Sequence, residues 1–481
     1  MAERAESIAL RTDFGLLIDG KLEQSEDHLD VINPALGEAF ARCPAATRAH
    51  LDRAVASARA AFPAWRDKSF AERAALINKM SQKLREKQQE LAELLTREQG
   101  KPLAQSVAEI DRGAAQSDGM VGIQIPVEVL ADDKDKHIEL RYRPLGVVGI
   151  ITPWNAPVNL ALGPLVSALY TGNTVILKPS PYTPLSTLKL GELLREIFPA
   201  GVVNVLAGGD ALGAWITEHP KVDKISFTGS VATGKKVLAS AAATLKRVTL
   251  ELGGNDPAIV MDDVDPKAVA KKIFFASFVN SGQVCMAIKR IYAHEKIYAA
   301  LCDALVAEAK KAKVGDGLDP ATELGPIQNK MQYDKVVGII EDTRKRGAKF
   351  LAGGDVPKGP GYFLPPTLVT DVPEDSRLVQ EEQFGPIVPI MKFSSLDDAL
   401  KRANDTRYGL SGSVWTSDVT RGAEIAAKLE VGTAWVNQHR ATSAFVPFGG
   451  AKESGIGRQY SVLGLKENME PQVVSVLKEP V

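Results

Sequence analysis

The spacing of apolar residues predicts helices in the first part of the chain and an extended arm after them. Thr47–Trp65 carries apolar residues at helical intervals, and Ser69-Phe70-Ala71-Glu72 has the form of a capping box that opens a second helix able to run to Gly100-Lys101-Pro102. Val127–Arg143 instead alternates apolar and polar residues, which predicts an exposed, extended segment. Gln472–Val476, near the C-terminus, is again strand-like.

After Leu145 the pattern changes to short β-rich runs separated by segments of helical length. This alternation indicates βαβ units and a parallel sheet, whose ligand crevice lies at the carboxyl ends of the strands. A second α/β region follows from about Pro257 to Gly457, so the predicted fold class is α/β. The strands predicted in the first region are Gly146–Thr152, Thr174–Lys178, Val202–Leu206, Lys224–Phe227 and Arg247–Leu250.

Composition and charge exclude several classes of protein. The chain has 481 residues, 45% hydrophobic and 24% charged, which is typical of a globular protein with two or three domains. Its 58 Lys and Arg nearly balance 59 Asp and Glu, so no global field favours nucleic acid or an anionic membrane. The apolar stretch around Leu160–Tyr170 is cut by Gly163 and Pro164 and is too short to span a membrane. The N-terminus does not resemble a secretion signal, so a cytoplasmic location is expected.

The spacing of cysteine and histidine gives no sign of a metal site. Cys43, Cys285 and Cys302 have no CxxC spacing, and the six histidines show no paired arrangement. Cys302 lies on the apolar stripe of a predicted helix and is interpreted as a core thiol.

Cys285 is a candidate nucleophile because it follows a packed helix. Asp265-Pro266 provides a side-chain cap and a proline at the first helical position, and the helix ends at Asn280-Ser281-Gly282. Cys285 therefore falls on a loop that can hold a thiol rigidly yet expose it. A free thiol has a pKa of ~8.5 and needs a base or a positive partner at neutral pH. Glu251, which ends a strand-like segment before two glycines, is the candidate general base.

Each of these features also has a simpler explanation. An isolated cysteine is more often buried and inert, and a lone glutamate at a strand end is more often a solvated charge. Phe227–Gly234 follows a predicted strand and precedes a helix. Its amides can bind a phosphate, but such turns are also common connectors.

Seven short motifs together are far more specific than any one of them. They are Thr152-Pro153-Trp154-Asn155, Lys178-Pro179-Ser180, Phe227-Thr228-Gly229-Ser230, Glu251-Leu252-Gly253-Gly254-Asn255, Gly282-Gln283-Val284-Cys285, Glu382-Gln383-Phe384-Gly385-Pro386 and Pro447-Phe448-Gly449-Gly450. In these motifs and their order the sequence resembles the aldehyde dehydrogenase superfamily over essentially the full chain.

The resemblance implies an NAD(P)-dependent enzyme that oxidises an aldehyde to a carboxylic acid. Cys285 matches the nucleophile, and Asn155 matches the amide that stabilises the oxyanion together with the Cys285 backbone N–H. Glu251 matches the base that activates water to hydrolyse the thioester. The positions that match cofactor contacts are Thr152, Trp154, Lys178, Ser180, Pro181, Gly209, Gly213, Phe227, Gly229, Ser230, Leu252, Glu382 and Phe384.

The resemblance also implies a domain organisation and an assembly. A Rossmann-type cofactor domain is expected at 1–125 and 145–253, an α/β catalytic domain at 254–457, and small β oligomerisation elements at 126–144 and 458–481. A homodimer or homotetramer is implied. NAD is favoured as the cofactor and NADP is permitted, because many NAD-using relatives have a glutamate where this chain has Pro181. A carboxylate there would repel a 2′-phosphate.

Two departures from the family pattern concern proton transfer. Pro164 and Gln459 stand where many relatives have a lysine and a glutamate that help to relay a proton from the general base. The joint absence is physically coherent, because losing only one of two paired buried ions would be costly. We hypothesise that Glu251 passes its proton through water or the backbone instead.

Substrate choice is predicted only in outline. The positions that match the family's aldehyde tunnel are small on the helix side and predict a wide pocket; they are Ala156, Asn159, Gly163, Val284 and Met286. In the loop near Asn437, His439, Arg440 and Thr442 are also matched. His439 and Arg440 either meet a polar or acidic group of the substrate or face solvent or a neighbouring subunit.

Two other functions stay open. A coenzyme-A-acylating relative would intercept the thioester with a thiol, and Glu251 argues against it because some acylating relatives lack that glutamate. A catalytically silent, structural relative would be expected to lose some of Asn155, Glu251 and Cys285, and all three are present.

Overall fold

The computed structural model describes residues 11–479 of the chain, beginning with two hairpins and four helices. Thr47 and Ser69 cap the first two helices, and the predicted capping box at Ser69 and Glu72 is confirmed. The single helix predicted from there to Gly100-Lys101-Pro102 is wrong. It breaks at Lys87, where exposed polar residues interrupt the buried stripe. The elements are β1 Leu16–Ile18, β2 Lys21–Glu23, β3 His28–Asn33, β4 Glu38–Pro44, α1 Arg48–Arg66, α2 Phe70–Glu86, α3 Gln88–Gln99 and α4 Leu103–Met120.

The next part of the chain contains an exposed hairpin and the five parallel strands of the first sheet. Its elements are β5 Glu128–Asp132, β6 Lys136–Pro144, β7 Val147–Ile151, α5 Pro157–Tyr170, β8 Thr174–Lys178, α6 Leu185–Leu194, β9 Val203–Val205, α7 Asp210–Glu218, β10 Lys224–Thr228, α8 Val231–Ala242 and β11 Arg247–Glu251. All five predicted strands are confirmed to within one residue at each end. Helices pack on these strands and bury the strands' aliphatic residues, as is usual for parallel sheets, which are covered on both faces.

Helix α5 differs from the expectation at Pro164. The apolar stretch is not interrupted there, because α5 continues through Gly163 and Pro164 and is buried along that length. The proline merely leaves one carbonyl without its helical donor. Within residues 11–479 no helix is both long and apolar enough to cross a membrane.

The part of the chain that follows β11, up to Val436, forms the second sheet and the helices that pack on it. Asp265 caps α9 as predicted by accepting a hydrogen bond from Lys267 N, and Cys302 lies in the core as predicted. The elements are β12 Asp256–Val260, α9 Pro266–Phe278, a 3-10 turn at Val279–Gly282, β13 Ile288–His294, α10 Tyr298–Lys311, α11 Lys330–Lys345, β14 Lys349–Ala352, β15 Thr367–Thr370, α12 Arg377–Gln380, β16 Ile387–Phe393, α13 Leu396–Asn404, β17 Tyr408–Gly409, β18 Ser411–Trp415, α14 Val419–Ala426 and β19 Thr433–Val436.

The C-terminal elements return to the first sheet and to the exposed hairpin. They are β20 Ala451–Lys452, β21 Gly455–Ile456, α15 Ser461–Lys466 and β22 Met469–Leu477. Strand β22 pairs with β6 to give a three-stranded antiparallel sheet, so the predicted arm and the predicted C-terminal strand are confirmed as extended structure. The domain limits predicted from the sequence stay predictions.

Sheet order determines which chain ends meet. The first sheet has the order β2-β1-β9-β8-β7-β10-β11-β21, with β7 to β11 parallel, and the second has the order β14-β15-β16-β13-β12-β18-β19. Strands β7, β8, β10 and β11 therefore end at the same edge. The residues that follow them include Thr152–Asn155, Pro179–Ser180 and Gly229–Ser230, while Glu251 is the last residue of β11.

Candidate active site

The loop that carries Cys285 has an unusual backbone. After α9 ends at Phe278, Asn280, Ser281 and Gly282 have φ angles of 53°, 54° and 74°. Two of these three residues are not glycine, and the left-handed region is unfavourable for them unless the surroundings hold the chain there. The loop is therefore constrained into this shape by its contacts.

Buried side chains supply those contacts. Gln283 is fully buried, donates through Nε2 to the Asn280 carbonyl at 2.9 Å, and accepts at Oε1 from Gln328 N at 2.8 Å. Ser281 Oγ donates to the Gly325 carbonyl at 2.6 Å. These bonds fix the approach to Cys285 from a distant part of the chain.

The Cys285 thiol is half-buried at the end of this loop. Its pKa is raised to about 12, chiefly by burial and also by the charges of Glu382 and Glu251, while the charge of Lys289 acts to lower it. Lys289 Nζ donates to the carbonyls of Val284 at 2.8 Å and of Cys285 at 2.5 Å. The resting thiol is consequently protonated at neutral pH, and its attack requires removal of the proton.

Asn155 is joined directly to the Cys285 loop. It follows β7 in the turn before α5 and is buried, and its Nδ2 donates to the Gln283 carbonyl at 2.9 Å. Its own carbonyl accepts from Lys101 Nζ at 2.8 Å and from Asn280 Nδ2 at 3.0 Å. The first sheet and the cysteine loop thus share one hydrogen-bonded unit.

A buried ion pair that the sequence did not reveal supports Asn155. Lys101 Nζ lies 2.5 Å from Glu109 Oε2, and both side chains are buried. Glu109 Oε1 accepts from the backbone N–H groups of Val158 at 3.0 Å and Asn159 at 3.2 Å, so it caps the start of α5. The sequence showed Lys101 only at the end of a predicted helix, which gave no indication of its partners.

Glu251 ends β11 with a buried carboxylate. Its Oε1 has no hydrogen-bond partner among residues 11–479. Burial raises the pKa of Glu251 well above its ordinary value, while the charge of Arg458 lowers it. A Cβ at Gly449 would lie 3.1 Å from Oε1, so the glycine allows close approach. A buried carboxylate with a raised pKa and an unused oxygen is suited to accept a proton as a general base.

Pro164 and Gln459, the two departures from the family pattern, place no charge near Glu251. Pro164 lies inside α5, and Gln459 exchanges backbone hydrogen bonds with Phe448 at 2.7 and 2.9 Å. Arg458 Nη1 donates to the carbonyls of Gly457 at 2.7 Å and Gly450 at 3.1 Å. Arg458 is therefore the cation whose charge reaches Glu251.

The ends of β7 and β8 present polar groups with unused hydrogen-bonding capacity. Thr152 Oγ1 is buried without a partner among the residues that the structure describes. Lys178 Nζ donates only to the Pro179 carbonyl, at 3.3 Å, and burial lowers its pKa to about 8. Ser180 is buried and accepts from Tyr182 N at 3.3 Å. Such groups fit the hydroxyls and phosphates of a nucleotide.

The starts of α7 and α8 complete the predicted cofactor site. Gly209 caps α7, and a Cβ there would meet nothing within 4 Å, while one at Gly213 would meet only Lys178 Cε at 3.8 Å. Ser230 caps α8 by accepting from Thr233 N at 3.2 Å, which confirms the strand–turn–helix prediction. Open glycines beside helix N-termini are suited to a phosphate.

The remaining predicted cofactor positions differ in exposure. Phe227 and Leu252 are buried, Gly229 N donates to the Glu251 carbonyl at 3.0 Å, and Pro181 is half-buried. The Phe227 ring would contact a Cβ at Gly229 at 2.5 Å. Any larger residue at position 229 would collide with the Phe227 ring, so this position requires glycine.

A loop of the second sheet meets the first sheet beside Cys285. Glu382 Oε1 accepts from Gly254 N at 3.0 Å and lies 3.6 Å from Lys289 Nζ. The Phe384 ring packs edge-on against Trp154 with centroids 5.2 Å apart. The structure thus brings predicted residues of both regions into contact beside Cys285.

His439 is wrong as a substrate contact, and it does not face solvent or another subunit either. Its side chain is fully buried, with Nδ1 2.9 Å from Ser413 Oγ and Nε2 3.0 Å from the Met286 carbonyl. Asp256 Oδ2 lies 3.6 Å from Nε2. Polar groups of β12 and β18 thus surround the imidazole. The sequence of the loop gave no indication of these contacts.

The two other cysteines lie in the core. Burial raises the pKa of Cys43 to about 12 and that of Cys302 to about 11, so both are protonated at neutral pH. In residues 11–479 no group of three or more His, Cys, Asp or Glu side chains is arranged to hold a metal ion.

Comparisons with known proteins agree with this arrangement. The aldehyde dehydrogenase family model matches residues 22–474. The aldehyde dehydrogenase LUC3 of a Fusarium species is 38% identical over 470 residues, covering 97% of this chain and 99% of that protein. The chloroplastic betaine aldehyde dehydrogenase of Beta vulgaris is 37% identical, with 97% of both chains covered. An aldehyde dehydrogenase from Bacillus cereus, solved in complex with NAD+, superposes with a TM-score of 0.95 at 37% identity and 97% coverage of both chains. With this similarity along its length, the chain belongs to the aldehyde dehydrogenase family.

Proposed function

We propose that this protein oxidises an aldehyde to a carboxylic acid with NAD+, through a thiohemiacetal and a thioester on Cys285 that water activated by Glu251 hydrolyses. Membership of the family supports aldehyde oxidation itself. The observation that carries the mechanism is the buried Glu251 carboxylate, which has an oxygen without a partner in residues 11–479 and whose charge raises the pKa of the Cys285 thiol.

The first step is attack of the Cys285 sulfur on the aldehyde carbon. Because burial keeps the thiol protonated, its proton passes to Glu251, directly or through a water, as the carbon–sulfur bond forms. The carbonyl oxygen becomes an oxyanion. One N–H of the Asn155 amide is bonded to the Gln283 carbonyl, and the amide has a second hydrogen to donate. Together with the Cys285 backbone N–H it would lower the barrier by ~3 kcal/mol per donor.

The proposed cofactor site runs along the ends of β7, β8 and β10. Lys178 and Ser180 would hold the adenosine ribose, Ser230 and the start of α8 the pyrophosphate, and Glu382 and Phe384 the nicotinamide ribose and ring. The unpartnered Thr152 Oγ1 and the open space at Gly209 and Gly213 support this fit. When bound, NAD+ supplies the acceptor for the hydride that the substrate carbon loses. NADP is permitted because Pro181 carries no repelling charge.

The acyl group then leaves Cys285 by hydrolysis. Glu251 first releases the proton that it took from the Cys285 thiol. It then takes a proton from a water that attacks the thioester carbon, the carbon–sulfur bond breaks with Cys285 leaving as a thiolate, and the acid leaves. The raised pKa of Glu251 suits a base that must both accept and return a proton near neutral pH. With no charge at Pro164 or Gln459, we propose that water or backbone groups near Arg458 carry that proton away.

Two variants test the mechanism. Purified enzyme is mixed with NAD+ and an aldehyde, NADH is followed by absorbance, and the protein is analysed by intact mass. Cys285→Ala should give neither NADH nor adduct. Glu251→Gln should form the acyl adduct on Cys285 more slowly, because it lacks the base that takes the thiol proton, and should hydrolyse that adduct at least a hundredfold more slowly. Hydrolysis of the adduct at the parent rate in Glu251→Gln would rule out the proposed base.

Product analysis separates the alternatives from this proposal. A coenzyme-A-acylating enzyme would give an acyl-coenzyme A and would need coenzyme A for turnover. A structural protein would give no NADH with any aldehyde, and alkylation of Cys285 would change nothing. We expect free acid with and without coenzyme A, and loss of NADH formation after alkylation.

We propose that the sheet of β5, β6 and β22 joins subunits in a dimer or tetramer. Val129, Leu130, Val473 and Leu477 are more than half exposed on these strands, and β5 is an edge strand. Exposed apolar side chains beside a free strand edge favour association. Light scattering should give two or four subunits, and Val473→Lys combined with Leu477→Lys should reduce that number.

A further inference from the structure

Two arginines near Cys285, Arg112 and Arg440, have no acidic partner among residues 11–479. Arg440, in the loop after β19, has a positive φ of 67°, and its guanidinium carbon lies 5.9 Å from the Phe275 ring centroid. Its Nε is buried, and no hydrogen-bond partner for it occurs in residues 11–479. Guanidinium groups removed from water are normally paired with carboxylates or hydrogen-bonded to carbonyls. This one retains its donors for something else.

Arg112 approaches the same place from α4. It is exposed and lies one turn before Gln116, so both side chains extend from one face of the helix. Gln116 Nε2 donates to Thr442 Oγ1 at 3.4 Å, two residues beyond Arg440. Asp111 does not compensate the charge, because adjacent helical positions do not face each other. Arg112 forms no ion pair within the described part of the chain.

Electrostatics agrees with this geometry. The pKa of Arg440 is lowered to about 10, chiefly by burial and also by the charge of Arg112, while the thiolate form of Cys285 acts to raise it. The Tyr460 hydroxyl donates to Gln116 Oε1 at 3.3 Å. The charges of Arg112, Cys285 and Glu251 all act on the pKa of Tyr460. The two like charges are therefore close to each other and to the nucleophile.

We propose that Arg112 and Arg440 form an anion subsite beside Cys285, and that the preferred substrates are aldehydes carrying a carboxylate remote from the aldehyde carbon. A carboxylate accepts charge-assisted hydrogen bonds from two guanidinium groups and relieves their repulsion. Cationic aldehydes such as betaine aldehyde are disfavoured by the same charges. The substrate class rests on the proposed oxidation, whereas the subsite itself can be measured without turnover.

Kinetics with matched substrate pairs test the proposal. Unbranched aldehydes of increasing length are compared with and without a terminal carboxylate, in the parent, Arg112→Gln, Arg440→Gln and Arg440→Lys. Arg195→Gln, at the end of α6, is the control for loss of an exposed arginine elsewhere in the chain. Each glutamine variant should lose about ten- to a hundredfold in kcat/KM for the carboxylate member and at most about twofold for the uncharged one. Arg440→Lys should recover part of the loss, and Arg195→Gln should lose nothing.

A binding measurement distinguishes failure of the subsite from failure of the oxidation. Calorimetry with a linear dicarboxylate, compared with the monocarboxylate of equal length, should give at least tenfold tighter binding that Arg440→Gln abolishes. Equal binding of the two acids, or equal kinetic losses for both members of each pair, overturns the subsite. Absence of NADH with every aldehyde overturns the proposed function, and the dicarboxylate result then decides the subsite alone.

Discussion

Lys101 Nζ lies 2.8 Å from the carbonyl oxygen of Asn155 and 2.5 Å from Glu109 Oε2, although Lys101 and Asn155 are 54 residues apart in the chain. One buried ammonium thus connects the turn that carries the proposed oxyanion donor to the residue that caps α5. The position of the Asn155 amide depends on a contact that no motif contains.

Replacing Lys101 by methionine should destabilise the protein and misplace Asn155. Glu109 would be left buried without its cation, which typically costs about 3 kcal/mol of folding free energy. The double variant Lys101→Met/Glu109→Gln should recover part of the stability but not of kcat, because Asn155 still lacks its support. Thermal unfolding and steady-state kinetics measure the two effects. A double variant as unstable as the single one would contradict the ion-pair explanation.

Lys289→Met should slow alkylation of Cys285. The Lys289 charge lowers the pKa of the thiol, so its removal raises that pKa and leaves less thiolate at any pH below it. The rate of reaction with iodoacetamide at fixed pH should fall several-fold. Lys335→Met is the matched control. Lys335 is a half-buried lysine whose Nζ donates to the Glu382 carbonyl at 2.7 Å, but it is not among the charges that shift the Cys285 pKa. An equal fall in both variants would point to a general structural effect.

Arg458→Gln should move the acid limb of the pH profile of kcat to higher pH. The Arg458 charge lowers the raised pKa of Glu251, so its loss raises that pKa further and the base form appears only at higher pH. Arg458→Lys keeps the charge and should leave the limb nearly in place. A shift of the glutamine variant toward acid, or no shift, would exclude Glu251 as the group that titrates.

Glu98 should make stability decrease as the pH rises. Its carboxylate accepts from the N–H groups of Leu185 at 2.7 Å and Ser186 at 2.9 Å, and burial raises its pKa from 4.5 to about 7. Its contribution is fully present below pH 4.5 and is lost as the pH rises through about 7, which amounts to about 3 kcal/mol. Between pH 5 and pH 8 the unfolding temperature of Glu98→Gln should therefore fall less than that of the parent. Parallel curves would show that Glu98 does not titrate in this range.

Pro181→Glu should separate the two nucleotides. Pro181 occupies the second position of a turn closed by a hydrogen bond from Thr183 N to the Ser180 carbonyl at 3.2 Å, a place that tolerates most residues. A carboxylate there should repel a 2′-phosphate and raise KM for NADP at least tenfold while leaving KM for NAD within about twofold. Pro181→Gln is the uncharged control. Similar changes for both nucleotides would mean that this position does not face the ribose.

Local patterns were enough to determine much of the fold. The five strands from Val147 to Glu251 were predicted to within one residue, and the caps at Ser69 and Asp265 were predicted by side-chain type. These features depend on residues a few positions apart, and hydrophobic periodicity and helix capping act over that range. The break at Lys87 and the continuation of α5 through Pro164 were missed, because packing decided both.

The sequence by itself determined the family and the residues proposed for catalysis, since the motifs around Asn155, Glu251 and Cys285 are short and ordered. Only the tertiary structure decided what surrounds them. It buried His439 against Ser413, linked Lys101 to Asn155, and brought Arg112 to within electrostatic reach of Arg440. The physical reason is that desolvation, hydrogen bonds and Coulomb interactions depend on distance in space, and the partners in these three contacts are separated by tens to hundreds of positions along the chain.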